Sequence, residues 1–337
     1  GVQTFSLPIL AGSAPAAFAD SFFCWQALLA LGVSLALQIG VNYANDYSAG
    51  IKGTDDARVG PLRLVGSGLA SPKAVRRAAF AFLGLGAVLG FALLVLPAIA
   101  LAIRTPWRRL GSIITHVEVR QALVLSLFTS TSATILALAL GVPLAWWLAH
   151  GSKKLSRILR SLVLMPLVMP PVVGGVALLQ LLGRRGVLGG PLYRLTGYSI
   201  PFTTVAVVIA EAFVAMPFLV LAVEGAFAQV PSALEEAATV DGASAFQAFR
   251  KVLVPSALPG IGAGMLLCWA RALGEFGATI TFAGSFPGRT RTLPLEVYLA
   301  LETDPAGAIA LSLCMVLLSI AIVVGLRGRW AGGLIKP

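Results

Sequence analysis

Charge is what this chain has least of. Only 12% of its 337 residues are Asp, Glu, Lys or Arg, where a soluble domain carries about 25%. That shortage excludes a soluble globular enzyme and a disordered chain. Cysteine is scarce as well. Cys24, Cys268 and Cys314 stand far apart in apolar runs, with no C-x-x-C spacing, so a disulfide scaffold is excluded and small buried residues are expected. The two histidines, His116 and His150, lie at span ends or loops and have no acidic partner at ligand spacing. No metal site is expected. The phosphate-cradling pattern G-x-x-x-x-G-K-S/T is missing, so the chain cannot hydrolyse ATP by itself. No basic n-region precedes the first apolar stretch, and no cleavable signal is expected.

Apolar residues fill the space that charge leaves: they make up 58% of the sequence. A transmembrane helix needs about 20 of them in a row. Seven runs are long enough, approximately Phe22–Tyr43, Ala79–Ile103, Leu123–Ala149, Ile158–Leu182, Pro201–Val223, Leu258–Ala283 and Ala306–Leu326. A shorter stretch, Phe5–Ala19, is broken by Pro8 and Pro15 and reads as a cut-down helix or an interfacial segment. The expected fold is an all-α polytopic transmembrane helix bundle. One of its spans should be irregular. Met165-Pro166 and Met169-Pro170-Pro171, followed by Gly174-Gly175, must distort their helix. Irregular backbone at membrane depth is tolerated where it packs against protein or lines a cavity, so a pathway wall and a packing kink both fit.

The net charge of +11 does not point to nucleic acid. The basic residues form no long run and have no stacking aromatics between them. They sit in short loops between apolar runs, as expected of a protein that contacts a lipid bilayer. With the 45–78 loop in the cytoplasm, that side holds fifteen Lys and Arg residues against nine outside. The C-terminus then lies in the cytoplasm. Arg271 is the one cation left within a span. It precedes Glu275 by four residues, on one helical face. An Arg at mid-membrane costs about 2.5–3.5 kcal/mol on insertion scales, and pairing offsets part of that. The pair fits a structural staple or the polar lining of a pathway. Glu211, also in an apolar run, reads as helix glue or an interface residue.

One polar stretch stands out, PSALEEAATVDGASAFQAFRKVLVP at 231–255. Ser232 and Glu235 have capping-box spacing, Gly242 breaks the helix, and Phe246, Phe249 and Val252 recur at helical spacing before Pro255 ends it. Two short helices at an angle should lie across the membrane face. Such an element can dock in a groove of a soluble partner, and an ordinary amphipathic connector has the same pattern.

Glu236-Ala237-Ala238, three residues, Gly242, nine residues, Val252, one residue and Val254-Pro255 resemble the E-A-A signature of ABC importer permeases, with Val at the usual Ile and Leu positions. The resemblance covers about residues 85–330. It implies a MetI-like type I importer permease whose loop, carried by Glu235, Glu236, Ala237, Ala238, Gly242, Val252 and Pro255, receives the motion of a separate ATPase subunit. ATP and magnesium would sit on that partner, with no cofactor in this chain. WARALGEFGATITFAGSFPGRTRTLPLEVY at 269–298 resembles permeases for molybdate, and less closely those for sulfate. That implies import of an oxyanion through a plasma-membrane permease homodimer, or a pair with a paralogue, fed by an extracytoplasmic molybdate-binding protein. Arg271, Glu275, Pro170 and Pro171 are the candidates for the substrate path.

Composition shifts near residue 95, and the expected organisation is 1–95, 96–330 and a cytoplasmic tail at 331–337. Residues 36–72, ALQIGVNYANDYSAGIKGTDDARVGPLRLVGSGLASP, resemble the first active-site region of dihydroxynaphthoate prenyltransferases, of the UbiA type. Asn42, Asn45, Asp46 and Asp55 match the motif that holds prenyl diphosphate through magnesium in those enzymes. Ala49 stands where they have Asp, and the second Asp-rich motif has no counterpart. A truncated, vestigial UbiA-like helical fragment is therefore expected, with no catalytic residues. The alternative is a membrane prenyltransferase of quinone synthesis.

Overall fold

A computed structural model describes residues 24–52 and 63–331. The chain divides into two compact units, Gly1–Ile103 and Arg104–Pro337. The Phe5–Ala19 stretch, Asp55 and residues 332–337 of the expected tail lie outside the described residues.

The first unit contains α1 (Cys24–Lys52) and α2, which begins at Pro72 and runs to Arg104. Proline suits a first helical position, where its missing N–H costs nothing, and the Ser71 hydroxyl accepts from Ala74 N at 3.3 Å. The two helices run antiparallel. Tyr43 meets Phe82 with ring centroids 5.9 Å apart, and the Arg76 guanidinium lies 5.8 Å from the Tyr47 ring centroid. Gly40 lets the backbones close up, because a Cβ there would stand 2.8 Å from Leu83.

The second unit is a bundle. Its elements are α3 (Leu110–Thr115), α4 (Val117–His150), α5 (Lys153–Val168), α6 (Pro171–Leu182), α7 (Gly189–Thr196), α8 (Thr204–Ala228), α9 (Ser232–Val240), α10 (Ala245–Ala248), a π-helical turn at Phe249–Leu253, α11 (Val254–Leu273), α12 (Gly277–Ala283), α13 (Leu293–Thr303) and α14 (Pro305–Ala331). The centre is α8, packed between α4 and α11. Alanines fill much of that seam, with Ala133, Ala137, Ala212, Ala215, Ala257 and Ala272 all buried there beside larger side chains such as Leu219 and Phe227. Lipid removes the hydrophobic drive between helices, so close backbone packing by small side chains has to supply the attraction.

Among the described residues six helices are long and apolar enough to cross a membrane, and a seventh crossing forms if the bent pair α5–α6 counts as one. The chain direction requires it. Thr129 on α4 meets Glu211 on α8, and further along Gly141 lies beside Val220, so α4 and α8 run parallel. The segment between them must carry the chain back across. It does so with a 116° bend between Val168 and Pro171. Pro166 stays within α5. The break falls at Met169-Pro170, because Pro170 and Pro171 together remove two successive amide donors.

A second break corrects the sequence reading of a continuous Leu258–Ala283 span. Helix α11 ends at Leu273, and α12 begins at Gly277. Residues near the start of α4, the start of α8 and the 286–291 segment share one end of the bundle, where the Thr204 hydroxyl donates to Arg289 O at 2.9 Å. The end of α4 and the end of α8 share the other, with Arg160 and Glu224 paired there. By the basic-residue count that second end is cytoplasmic.

Candidate functional site

At the cytoplasmic end the polar stretch folds as two short helices joined by a turn. The expected cap is displaced. Pro231 is the N-cap of α9, and Ser232 is its first residue with no side-chain cap. The capping box lies in the second helix: Gln247 N donates to the Ser244 hydroxyl at 3.3 Å, and Ser244 N to Gln247 Oε1 at 2.8 Å. Gly242 has φ +83°. A Cβ at that position would meet nothing within 4 Å, so backbone conformation and not space requires the glycine. Pro255 does not end the second helix. It occupies the first turn of α11, where proline is tolerated.

This loop is fastened to the bundle at two points. Phe249 packs between Trp146 and Phe227, at centroid distances of 5.3 and 6.1 Å. His150 Nε2 lies 3.4 Å from Glu235 Oε2. The expected single apolar face is split: Phe249 and Val252 are half-buried, while Phe246 is 67% exposed, because the π turn begins between them. Val240, 87% exposed, and Leu234 are also uncovered. Glu236 and Ala237 face solvent, Pro255 is exposed, and Ala238 is half-buried. The loop thus presents apolar side chains outward from an anchored base, which suits docking.

Within the bundle the two broken spans meet. A Cβ on Gly277 would stand 2.8 Å from Pro171, and one on Gly175 would stand 2.8 Å from Ala278 O. Pro170 and Pro171 are exposed on the surface of the single chain. Arg271 Nη2 contacts Glu275 Oε2 at 2.6 Å, with the Glu275 side chain 1% exposed. Because the helix ends at Leu273, the pair bridges a break and does not lie along one helical face. The second Glu275 oxygen accepts from Ala278 N at 2.9 Å and fixes the start of α12. Glu211 is glue between helices: its Oε1 accepts from the Thr129 hydroxyl at 2.9 Å.

The FPGRTRTLPL segment is a closed turn at the outer end. Phe286 N donates to the Thr290 hydroxyl at 2.9 Å, and Leu293 N donates to the Ser126 hydroxyl at 2.7 Å. Next to it a cavity of about 560 Å³ is lined in part by His116, Glu118, Arg291 and Glu296. Arg291 lies 3.4 Å from Glu296 and 3.9 Å from Glu118.

In the first unit Asn42 and Asn45 are exposed, and Asp46 is buried. The Asp46 carboxylate is occupied by backbone, accepting from Leu64 N at 2.9 Å and Val65 N at 3.2 Å. Among the described residues no three His, Cys, Asp or Glu side chains are grouped to hold a metal.

Residues 141–327 match the family of binding-protein-dependent transport system inner membrane components. This chain belongs to that family. The matched region contains the 231–255 loop and both broken spans. The family is one of multi-pass membrane permeases and not of enzymes. A curated relative, the molybdenum transport system permease protein ModB of Mycobacterium tuberculosis, is 46% identical over 245 residues, which is 73% of this chain and 92% of the relative. The Escherichia coli K12 protein of the same name is 39% identical over 210 residues, covering 62% and 92%. Among solved structures, a bacterial alginate ABC transporter in complex with an alginate pentasaccharide-bound periplasmic protein superposes with TM-score 0.61 at 15% identity, over 76% of this chain and 95% of that one. That likeness concerns the fold, the MetI-like permease bundle.

The loop and the proline break were readable from spacing. The contacts that fasten the loop were not: Glu235 follows His150 by 85 residues, and nothing local links them.

Proposed function

We propose that this chain is the membrane permease of an ABC importer for molybdate. The observation that carries the reading is the anchored loop at 231–255, whose exposed Val240 and Phe246 form a surface for a separate ATPase subunit. That subunit would bind ATP and magnesium. Its motion would enter the bundle through Phe249, wedged between Trp146 and Phe227, and through the Glu235–His150 contact.

Two copies of the chain would enclose the pathway. The exposed Pro170–Pro171 break and the neighbouring Arg271–Glu275 pair would line it, with Arg271 offering a basic group to a dianion. The cavity at the outer end, beside Glu118 and Arg291, would receive an extracytoplasmic molybdate-binding protein. Residues 1–95 would be a UbiA-type fragment without prenyl-transfer activity, since Asp46 is committed to the Leu64 and Val65 amides.

The test is reconstitution with the ATPase and the binding protein in liposomes. Molybdate should stimulate ATP hydrolysis and accumulate inside, while sulfate at the same concentration should do neither. Equal stimulation by sulfate would refute the substrate assignment, and no stimulation by any oxyanion would refute the importer reading.

A further inference from the structure

A second cavity, of about 430 Å³, opens on the outer half of the bundle and is built differently from the first. Arg120, Gln121, Thr204 and Gly288 form one end of it, and Val124, Leu125 and Phe128 form the rest. From Arg120 to Phe128 along α4 is about 12 Å at 1.5 Å per residue. The cavity is therefore polar at the outer end of the bundle and apolar below it. Val124 is 61% exposed and Phe128 60%, so the apolar part is an open face. Arg120 makes no ion pair among the described residues. Neither does Arg289, which follows Gly288 and is also exposed. Arg109 and Arg291, at the same end of the bundle, are paired, with Asp304 and with Glu296 and Glu118.

We propose that this cavity holds one anionic phospholipid of the outer leaflet, its phosphate on Arg120 and its acyl chain along Val124, Leu125 and Phe128. Charge complementarity supplies the headgroup contact: the Arg120 guanidinium, which makes no ion pair among the described residues, and the neighbouring Gln121 amide present several N–H donors to phosphate oxygens. The direction of polarity supplies the rest. A lipid carries its phosphate outward and its chains inward, as the wall of the cavity does. A small free oxyanion has nothing to place against Phe128 and Val124, which distinguishes this cavity from a stop on the transport route. The Thr204 hydroxyl already donates to Arg289 O, so a bound lipid would join α4, α8 and the 286–291 turn at the outer end.

The experiment uses the full chain, copurified with its ATPase, in detergent. Native mass spectrometry with added phosphatidylglycerol should show one tightly retained adduct that phosphatidylcholine does not reproduce. Arg120→Gln should weaken its retention about tenfold, which corresponds to about 1.4 kcal/mol. Arg120→Lys should keep part of it, and Arg185→Gln, on the separate α6–α7 connection, should change nothing. Glycerol 3-phosphate and inorganic phosphate, at equal concentration, should not displace the adduct. Equal retention by Arg120→Gln would overturn the proposal. Displacement by the free phosphates would show a simple anion site instead, and efficient Val124→Cys crosslinking between two copies would show that protein covers this face. Each of these arms leaves the importer assignment untouched, because molybdate uptake is measured separately.

Discussion

Replacing Arg271 by Leu removes the cation paired with Glu275, whose side chain is 1% exposed. One Glu275 oxygen keeps its hydrogen bond from Ala278 N, and the other loses its partner. Breaking one member of a buried pair costs about 3–5 kcal/mol. Arg271 itself is 28% exposed, so water screens part of the pair and the lower end, about 3 kcal/mol, is expected. A double substitution separates stability from transport. Glu275→Leu would also remove the acceptor that starts α12, so Glu275→Gln is the better companion: it is neutral and keeps a carbonyl oxygen for Ala278 N. Arg271→Leu should lower the thermal midpoint in detergent and the folded yield, and Arg271→Leu with Glu275→Gln should restore most of both. If Arg271 meets the anion as proposed, molybdate uptake by the double variant should stay at least about tenfold below wild type. Recovery of folding and uptake together would refute a pathway role for Arg271. Recovery of neither would show that the contact does not hold the break together.

Three further outcomes are expected. Gly242→Val forces a β-branched residue into φ +83° and should cost the loop about 1–2 kcal/mol, seen as weaker copurification of the ATPase with the bundle's melting unchanged; unaltered copurification and uptake would refute the docking role. Phe249→Ala should leave the ATPase bound and hydrolysing while molybdate uptake in liposomes falls several-fold, and tightly coupled uptake in that variant would place the transmission elsewhere. Asp46→Ala frees two backbone amides of the 64–65 segment and should cost the first unit about 1–3 kcal/mol without lowering uptake, and deleting residues 1–75 should also leave uptake largely intact; prenyl transfer by the purified intact chain would refute a vestigial first unit.

The sequence was most legible where a pattern runs long. Apolar runs of 20 or so residues and a signature spread over twenty positions survive the accidents of single residues, and they carried the bundle, the family and the loop. It was least legible at boundaries. Ser232-x-x-Glu235 and Ser244-x-x-Gln247 offer the same capping box, and only the second forms. Pro231, with its φ fixed near −60°, takes the cap position itself and leaves Ser232 inside the helix. The end of α11 at Leu273 was hidden because apolar residues continue through Gly274 and Phe276, and a helix-period pattern does not register a glycine whose carboxylate neighbour turns inward to cap the next helix. His150–Glu235 and Thr129–Glu211 are contacts between distant segments. Their partners carry no local signal, so each residue looked solitary.

The alanine-lined seam between α4, α8 and α11 has a mechanical consequence. Side chains that lack rotamers cannot absorb a displacement by rearranging. Gly264 already sits so close to α8 that a Cβ would stand 3.0 Å from Ala222. On the proposed coupling, a push at Phe249 would be passed from helix to helix at these alanine contacts rather than absorbed by them. Compliance would then fall to the places where the chain is already interrupted, at Pro170 and at Gly274.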